Sequence, residues 1–574
     1  GHFTGLIAEI MGRADGVCGG IGGSQHLAFK GFHSNGVQAG MTGIGVGQGL
    51  ARRLRGESGI VAIVTGDGTL GEGLLYESLN LASVWKTPVL FVVENNGIAQ
   101  TTPTSDTIGG GSIVSRGAAF GLETWRLNDA DPDFFRDVEH VVEHVRKMRR
   151  PGFLVIDTMR LGPHSKGDDL RDREEMQAIR ERDPLARLGD RLAASVKQEL
   201  DSATQSFIAA VERAARASPE ARYLTRPVHL FTNAPAPEPA RTEPVRQQGN
   251  VRAALNSSLR KLLTNDPRVV LLGEDMHDPY GGAFKVTAGL SSDFPLRVIS
   301  TPISEAGVVG SSIGLALAGF RPIAEIMFAD FVTLAMDQLY NHAVKFPGMF
   351  PGVEVPLVVR TPSGGRRGYG PTHSQSPENL LAGVPGLTVV FPSHRHAAGV
   401  LLERAVSSWP YPTVFFEHKL VYGLPCDPAA YRESTADTED PAAALFPTLV
   451  SGSSNPDLTL VGYGGILPLL ESVATKLEQE ELDIEIIVPA LLAPLPRRTL
   501  VGLLGNRERI LVVEEGHAEY GFAAELGAAL LEAGHNGRFL RVGTPPVPVP
   551  AARSLEADVI PSEEYILEKA ISLI

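Results

Sequence analysis

At 574 residues the chain is too long for a single hydrophobic core, and about three domains is the expectation. Hydrophobic residues make up 43% and charged residues 21%, an ordinary globular balance, and the net charge of −14 argues against a nucleic-acid groove as the main purpose. Only Cys18 and Cys426 occur, so neither a disulfide framework nor a thiolate metal site is suggested, and no uninterrupted apolar run of about 18 residues marks a membrane span. No signal peptide is visible, although the chain opens at Gly1 without a Met, so an earlier start is expected. A soluble cytoplasmic protein is the prediction.

From Gly59 to about Asp157, short Val/Ile-rich runs alternate with helix-like stretches. "GIVAIVTGDG", "TPVLFVVENN" and "PGFLVIDTMR" read as strands buried on both faces, the mark of a parallel α/β sheet. A charged segment with helical spacing follows, from about Arg171 to Arg216. "APAPEPARTEP", Ala234 to Pro244, has the composition of an extended, solvated linker. The α/β pattern then restarts with "RVVLLGED", "FRPIAEIMFAD", "VPLVVRTP", "LTVVFPS" and "PTVFFEHK". After a second proline-containing stretch, Pro425 to Pro447, "LTLVGYG", "IEIIVPA" and "ERILVVEEG" form a further block. The predicted units are 1–230, a linker at 231–248, 249–425 and 446–574. No short-period repeat is present, which removes solenoids and propellers.

Strand C-termini in a parallel sheet share one edge, and ligands bind there. A strand–helix–strand unit sets Asp67 of "GDG" and Asn96 of "ENN" side by side, 29 residues apart in sequence. Hard oxygen donors of this kind suit magnesium, which keeps positions for phosphate and water. The glycines beside Asp67 let backbone approach an anion, and a helix expected to start near Leu70 to Glu72 adds N–H donors. Taken singly, GDG is a turn and ENN a polar loop; the joint pattern implies a metal-bridged diphosphate. "GIGVGQG", Gly43 to Gly49, lacks the spacing and the preceding strand of a nicotinamide site and reads as close helix packing.

The joint GDG…ENN pattern resembles the magnesium–thiamine diphosphate signature. With "GRADGVCGGIGGSQH", "NGVQAG" and "MRLGPHSKGDDLRDREEM" it is similar to the α subunit of the decarboxylating component of 2-oxo-acid dehydrogenase complexes. "LLGEDMHDPYGGAFKVTAGL", "STPISEAGVVGSSIGLALAGFRPIAEIMFADF", "GYGPTHSQSPE" and "ILVVEEG" resemble its β subunit. The resemblance covers nearly the whole chain and implies an α-like and a β-like polypeptide fused head to tail. The fold it implies is the thiamine-diphosphate-binding α/β fold: a pyrophosphate-type and a pyrimidine-type parallel-sheet domain, then a C-terminal transketolase-like domain, with the cofactor between the α and β halves.

By the same resemblance, Asp67, Asn96 and the carbonyl of Ile98 hold magnesium. Gly68 and Thr69 present N–H groups to the diphosphate, Arg160 meets it as a cation, and Gly36 and Gln38 hold the aminopyrimidine through backbone atoms. The family's Tyr-Arg pair on the diphosphate is expected before His2. Glu305, in "TPISE", bonds a ring nitrogen of the aminopyrimidine and serves acid–base catalysis through the cofactor; alone, it would read as a helix-capping Glu. Phe331 stacks on the pyrimidine, where a core Phe is the plain alternative. His164 and His373, in polar glycine-containing loops, are proton handlers, and Ser165 matches a serine that is phosphorylated in some relatives. Arg366 and Arg367, in "SGGRRGYG", suit a substrate carboxylate or phosphate, or a salt-bridged surface loop.

The function implied is decarboxylation of a 2-oxo acid with reductive acyl transfer to a lipoyl group on a partner acyltransferase or carrier-like protein. The alternative is transketolase-like transfer of a two-carbon ketol unit from a ketose phosphate. A non-catalytic assembly subunit would be expected to have lost Asp67, Asn96 and Glu305, which are present. No nucleic-acid or membrane partner is expected, and the family's α2β2 assembly implies a homodimer of the fused chain.

Overall fold

The computed structural model describes residues 2–165, 167–222, 241–434 and 440–574. The proline-rich run from 234 to 240 lies outside the described residues. The chain sorts into two compact units: 1–225 with 306–318 and 345–353, and 226–305 with 319–344 and 354–574. Among the described residues no helix is long and apolar enough to cross a membrane.

The first unit is built on four parallel strands, β1 (Val61–Gly66), β2 (Val89–Asn95), β3 (Glu123–Asn128) and β4 (Gly152–Asp157), in the order β1-β2-β4-β3. β2 is central and its first five residues are buried. β1 is the edge strand here and is not buried on both faces as its sequence suggested: Val64 is 59% exposed. β3, "ETWRLN", escaped the sequence reading because its charged residues face outwards at the opposite edge. The segment 171–216, read as helical in spacing, forms three helices, Arg173–Glu181, Pro184–Gly189 and Ala194–Ala217. Pro184 at the start of the second, capped by Asp183, sets one of the breaks.

A glycine-rich helix, Gly40–Arg55, packs on this sheet and on the helical residues 306–317 of the same unit. A Cβ on Gly45 would fall 2.4 Å from the Ile63 side chain, and one on Gly47 would fall 1.9 Å from the carbonyl oxygen of Ser311. A Cβ on Gly314 would fall 2.0 Å from the carbonyl oxygen of Ile44. Two backbones thus lie in direct contact, so "GIGVGQG" is a packing device. Arg52, Arg53 and Arg55 crowd the helix's last turn, where cations suit the dipole, and Gly56 closes it at φ 70°.

The second unit holds two sheets. Its strands in chain order are β5 (Arg241–Thr242), β6 (Val269–Gly273), β7 (Val298–Ser300), β8 (Arg321–Glu325), β9 (Val358–Ser363), β10 (Thr388–Val390), β11 (Thr413–His418), β12 (Arg432–Ser434), β13 (Thr448–Gly452), β14 (Leu458–Gly462), β15 (Ile484–Pro489), β16 (Leu491–Ala493), β17 (Arg509–His517) and β18 (Arg538–Thr544). One sheet runs β7-β6-β8-β9-β11-β10-β16, parallel except for β16. The other runs β18-β17-β14-β15-β13-β12-β5, parallel as far as β15 and antiparallel beyond. β5 lies inside the stretch read as a solvated linker. It is extended as expected, but paired, with Thr242 opposite Glu433.

Helix Val251–Asn265, capped by the Asn250 side chain, lays Leu255, Leu259 and Leu263 into the first core with Leu401 and Leu402. The second core gathers Leu470, Val473 and Leu477 of one helix with Ile566 and Leu573 of the last. Both are aliphatic faces at helical spacing closed onto Val/Ile/Leu-rich strands.

Candidate functional site

β1 and β2 are in parallel register, Gly66 opposite Glu94, which brings the chain beyond each to the same edge. Asp67 opens a short helical turn, Asp67–Gly71, that leads into helix Gly73–Trp85. Its carboxylate is 1% exposed, and Oδ2 accepts from Gly97 N (2.9 Å) and Thr104 Oγ1 (2.6 Å). Both of these bonds fall on one oxygen, which orients the other. Asn96 Oδ1 accepts from Ile98 N at 3.1 Å, and Gly97 turns the chain at φ 78°. Asp67, Asn96 and Ile98 are therefore neighbours in one loop cluster. Among the described residues no group of three His, Cys, Asp or Glu is set to hold a metal, so a cation here would be held by one carboxylate, one amide oxygen and a carbonyl, the hard set that magnesium takes.

Gly68 is pressed to the opposing loop: a Cβ would sit 2.9 Å from Ala99 Cβ. The first N–H groups of a helical turn have no partner within it, so Gly68 and Thr69 offer donors to an anion. Thr69 Oγ1 donates to Gln38 Oε1 at 2.6 Å, tying two predicted residues together. Both line a cavity of about 950 Å³ whose walls also include Lys30, His33, Arg52 and Val64; Asp67 and Asn96 are not among its lining residues. Gly36 stands beside Gln25, whose Oε1 lies 2.6 Å from where a Cβ would be.

Arg160 donates through Nη1 to Gln100 O at 2.7 Å, while its Nε is buried without a protein partner among the described residues. A cation with an orphaned donor beside this loop fits a diphosphate. The loop after Arg160 is shaped by Arg171, which donates to Arg160 O, Gly162 O and both oxygens of Asp169. That pairing holds the Asp169 carboxyl down at about 2. His164 is half exposed, with Nδ1 3.7 Å from Asp168 Oδ2, and Ser165 donates through N and Oγ to the same carboxylate.

In the second unit Glu305 is the first residue of helix Glu305–Leu317 and is 7% exposed. Sequence reasoning missed its neighbour, Glu274. Burial first, then the carboxylates of Glu305 and Asp275, push the Glu274 carboxyl up to about 7, against the Ser304 N–H. The signal was present: "GED" follows the tip of β6, at the edge where ligands bind. A carboxyl that keeps its proton near neutrality beside a second one is suited to proton exchange.

Phe331 and His373 come together, ring centroids 5.0 Å apart, and Phe328 lies 4.8 Å from His373. Arg366 is already engaged: Nη2 donates to Pro561 O at 2.6 Å, Nε lies 3.8 Å from Glu515, and its backbone N–H donates to Glu556. This matches the salt-bridged alternative the sequence allowed. Arg367 is exposed, with one long bond to Lys419 O. Thr104 and Lys419 were not singled out in the sequence, because each acts on a partner that only folding brings near.

Residues 2–226 match the family described as "Dehydrogenase E1 component", 247–425 the pyrimidine binding domain of transketolase, and 449–566 the transketolase C-terminal domain. The pyruvate dehydrogenase E1 component subunit beta of Leifsonia xyli is 33% identical over 338 residues, 58% of this chain and 97% of that protein. The acetoin:2,6-dichlorophenolindophenol oxidoreductase subunit beta of Cupriavidus necator is 33% identical over 341 residues, 56% of this chain and 96% of that protein. The 2-oxoisovalerate dehydrogenase subunit beta 2 of Arabidopsis thaliana is 36% identical over 289 residues, 49% and 77%. These relatives align with about half of the chain, 49% to 58%, and the E1-type match spans residues 2–226. The chain therefore belongs to the thiamine-diphosphate-dependent 2-oxo-acid dehydrogenase E1 family, with an E1-type portion and a β-subunit-type portion fused on one polypeptide.

Proposed function

We propose that the protein decarboxylates a 2-oxo acid and transfers the acyl group reductively to a lipoyl group on a partner acyltransferase. The observation that carries this reading is Asp67 set beside Asn96, beyond neighbouring strand tips, inside the stretch matching the dehydrogenase E1 component. Thiamine diphosphate, when bound, supplies a nucleophilic carbon and an electron sink for the bond that releases carbon dioxide. The chain supplies the rest. Asp67, Asn96 and the Ile98 carbonyl hold magnesium; Gly68, Thr69 and Arg160 bind the diphosphate; Gly36, Gln38 and Phe331 position the pyrimidine. The Glu305 carboxylate takes up and returns a proton at the pyrimidine nitrogen, and His164 and His373 serve the substrate side. Arg367, the exposed member of the Arg366–Arg367 pair, meets a substrate carboxylate.

The functional units are 1–230, 249–425 and 446–574, a division supported by the three family matches. Two copies of a fused chain give the two α-type and two β-type portions that the family assembles, so a homodimer is the proposed state, which sedimentation tests. Both cysteines are free and buried, which suits the reducing cytoplasm.

The test is a substrate panel with a lipoylated acceptor, thiamine diphosphate and magnesium. It includes pyruvate, branched 2-oxo acids, acetoin and ketose phosphates. Turnover of one or more 2-oxo acids is expected. Turnover of ketose phosphates alone would reject decarboxylation in favour of two-carbon ketol transfer.

A further inference from the structure

We propose that Lys419 is a positioning residue, whose ammonium clamps the main chain at His373 and so fixes where that imidazole stands. The inference rests on the reading of His373 as a proton-handling residue. Lys419 follows β11 and is 1% exposed, a rare place for an ammonium unless it is paired. Its Nζ donates to the carbonyl oxygen of His373 at 2.5 Å. The same nitrogen lies 5.3 Å from the ring centroid of Phe328 and 5.4 Å from that of Tyr369, so two aromatic faces replace lost water.

Phe328 is also packed edge-on against His373, and Phe331 makes a second edge-on contact with it at 5.0 Å. The clamp therefore reaches the imidazole twice, through its carbonyl and through Phe328. Lys419 is itself fixed, its backbone N–H donating to Ser363 O at 3.1 Å. The loop it holds, 364–375, is tied at its start by Gly365 N to Glu515 and by Gly368 N to Glu556. At its end Gln375 N meets Asp330 at 3.4 Å. Between these ties, the His373 carbonyl is the point the lysine secures.

The charged groups that face the ammonium are Asp330, Glu515, Glu556 and Arg367. Burial pushes the Lys419 ammonium down to about 8; Asp330, Glu515 and Glu556 pull it up, and Arg367 pushes it down further. The folded value lies below the ordinary one, so the charge is lost and the clamp weakens to a neutral-amine hydrogen bond as pH rises through about 8.

Three variants test this: Lys419→Met, Lys419→Arg and Tyr369→Leu. The first readout needs no activity: carbethoxylation of His373 followed by peptide mass spectrometry. The second is the pH profile of kcat/KM on whichever 2-oxo acid the enzyme turns over. Lys419→Met should expose His373 to faster modification and lower kcat roughly tenfold to a hundredfold, with cofactor affinity little changed. Lys419→Arg, which stays charged, should restore both readouts and move the alkaline limb upward. Tyr369→Leu leaves no buried charge unpaired and serves if Lys419→Met does not fold; it should move the limb downward. An unchanged His373 modification rate in Lys419→Met, or an unmoved limb in both other variants, overturns the clamp. Raised modification in a protein inactive on every 2-oxo acid would retain the clamp and reject the proposed reaction.

Discussion

At Asp67 one carboxylate oxygen is already spent. Oδ2 receives Gly97 N and Thr104 Oγ1, which fixes the plane of the carboxylate. Thr104→Val keeps the shape and removes the hydroxyl donor; calorimetry should show magnesium-dependent cofactor affinity falling about 10–100-fold, the usual cost of losing an outer-shell partner. Asp67→Ala should lose more, and unchanged binding in it would break the metal assignment. Glu305→Gln is expected to fold, bind cofactor and lose about 10²–10⁴-fold in turnover, the range for one acid–base group. Wild-type turnover there would remove Glu305 from proton transfer. Asp67 was singled out because GDG and ENN stand 29 residues apart across a strand–helix–strand pattern, and Glu305 through the likeness of its motif to the family's. Thr104 and Lys419 were not, since neither has a meaning until the Asp67 loop or the His373 loop folds against it.

The helices and strands were read mostly from hydrophobic runs, and the misses have several causes. β3, β12 and β18 carry Glu or Arg, β7 and β16 have three residues each, too few for a period to show, and β13 begins where a proline-containing stretch ends. Helix Gly40–Arg55 was legible for a different reason, because five glycines in ten residues make no sense except as close contact. That contact sets a sharp test. Ala is favoured over Gly within a helix by about 1 kcal/mol, yet a Cβ on Gly47 would lie 1.9 Å from Ser311 O and 2.7 Å from its carbonyl carbon. Both atoms are backbone and cannot step aside. Overpacking of this kind costs about 1–3 kcal/mol or more, so Gly47→Ala should lower the thermal midpoint. Gly73→Ala, with nothing within 4 Å of its Cβ, should leave it unchanged or slightly raised. A midpoint for Gly47→Ala at or above wild type would show that the two helices can part at little cost.

At the scale of the molecule, the doubled α/β pattern announced a multi-domain chain. One polar joint between the two sheets of the second unit was hidden, because its members lie far apart in sequence. Tyr463 Oη meets Glu378 Oε1 at 2.9 Å and Glu514 Oε2 at 3.2 Å. Glu514 also accepts from the N–H groups of Phe522 and Ala523 and from Asn379 Nδ2. Glu378 is 0% exposed, and its Oε2 has no protein partner among the described residues. Burial, helped by the carboxylates of Glu514 and Glu515 and opposed by Tyr463, pushes its carboxyl up to about 8. A carboxyl whose folded value lies above its unfolded one keeps its proton in the native state while the unfolded chain releases it. The native state therefore binds more protons between about 4.5 and 8, and stability falls as pH rises through that window. Below it the group contributes no pH dependence, and above it the loss is complete. Glu378→Gln keeps a neutral acceptor for Tyr463 and has no proton to lose, so its midpoint relative to wild type should climb steadily from pH 5 to pH 8. Parallel midpoint curves for the two proteins across that range would mean that Glu378 is ionised in the folded protein, and that the joint is held by a charge rather than by a shared proton.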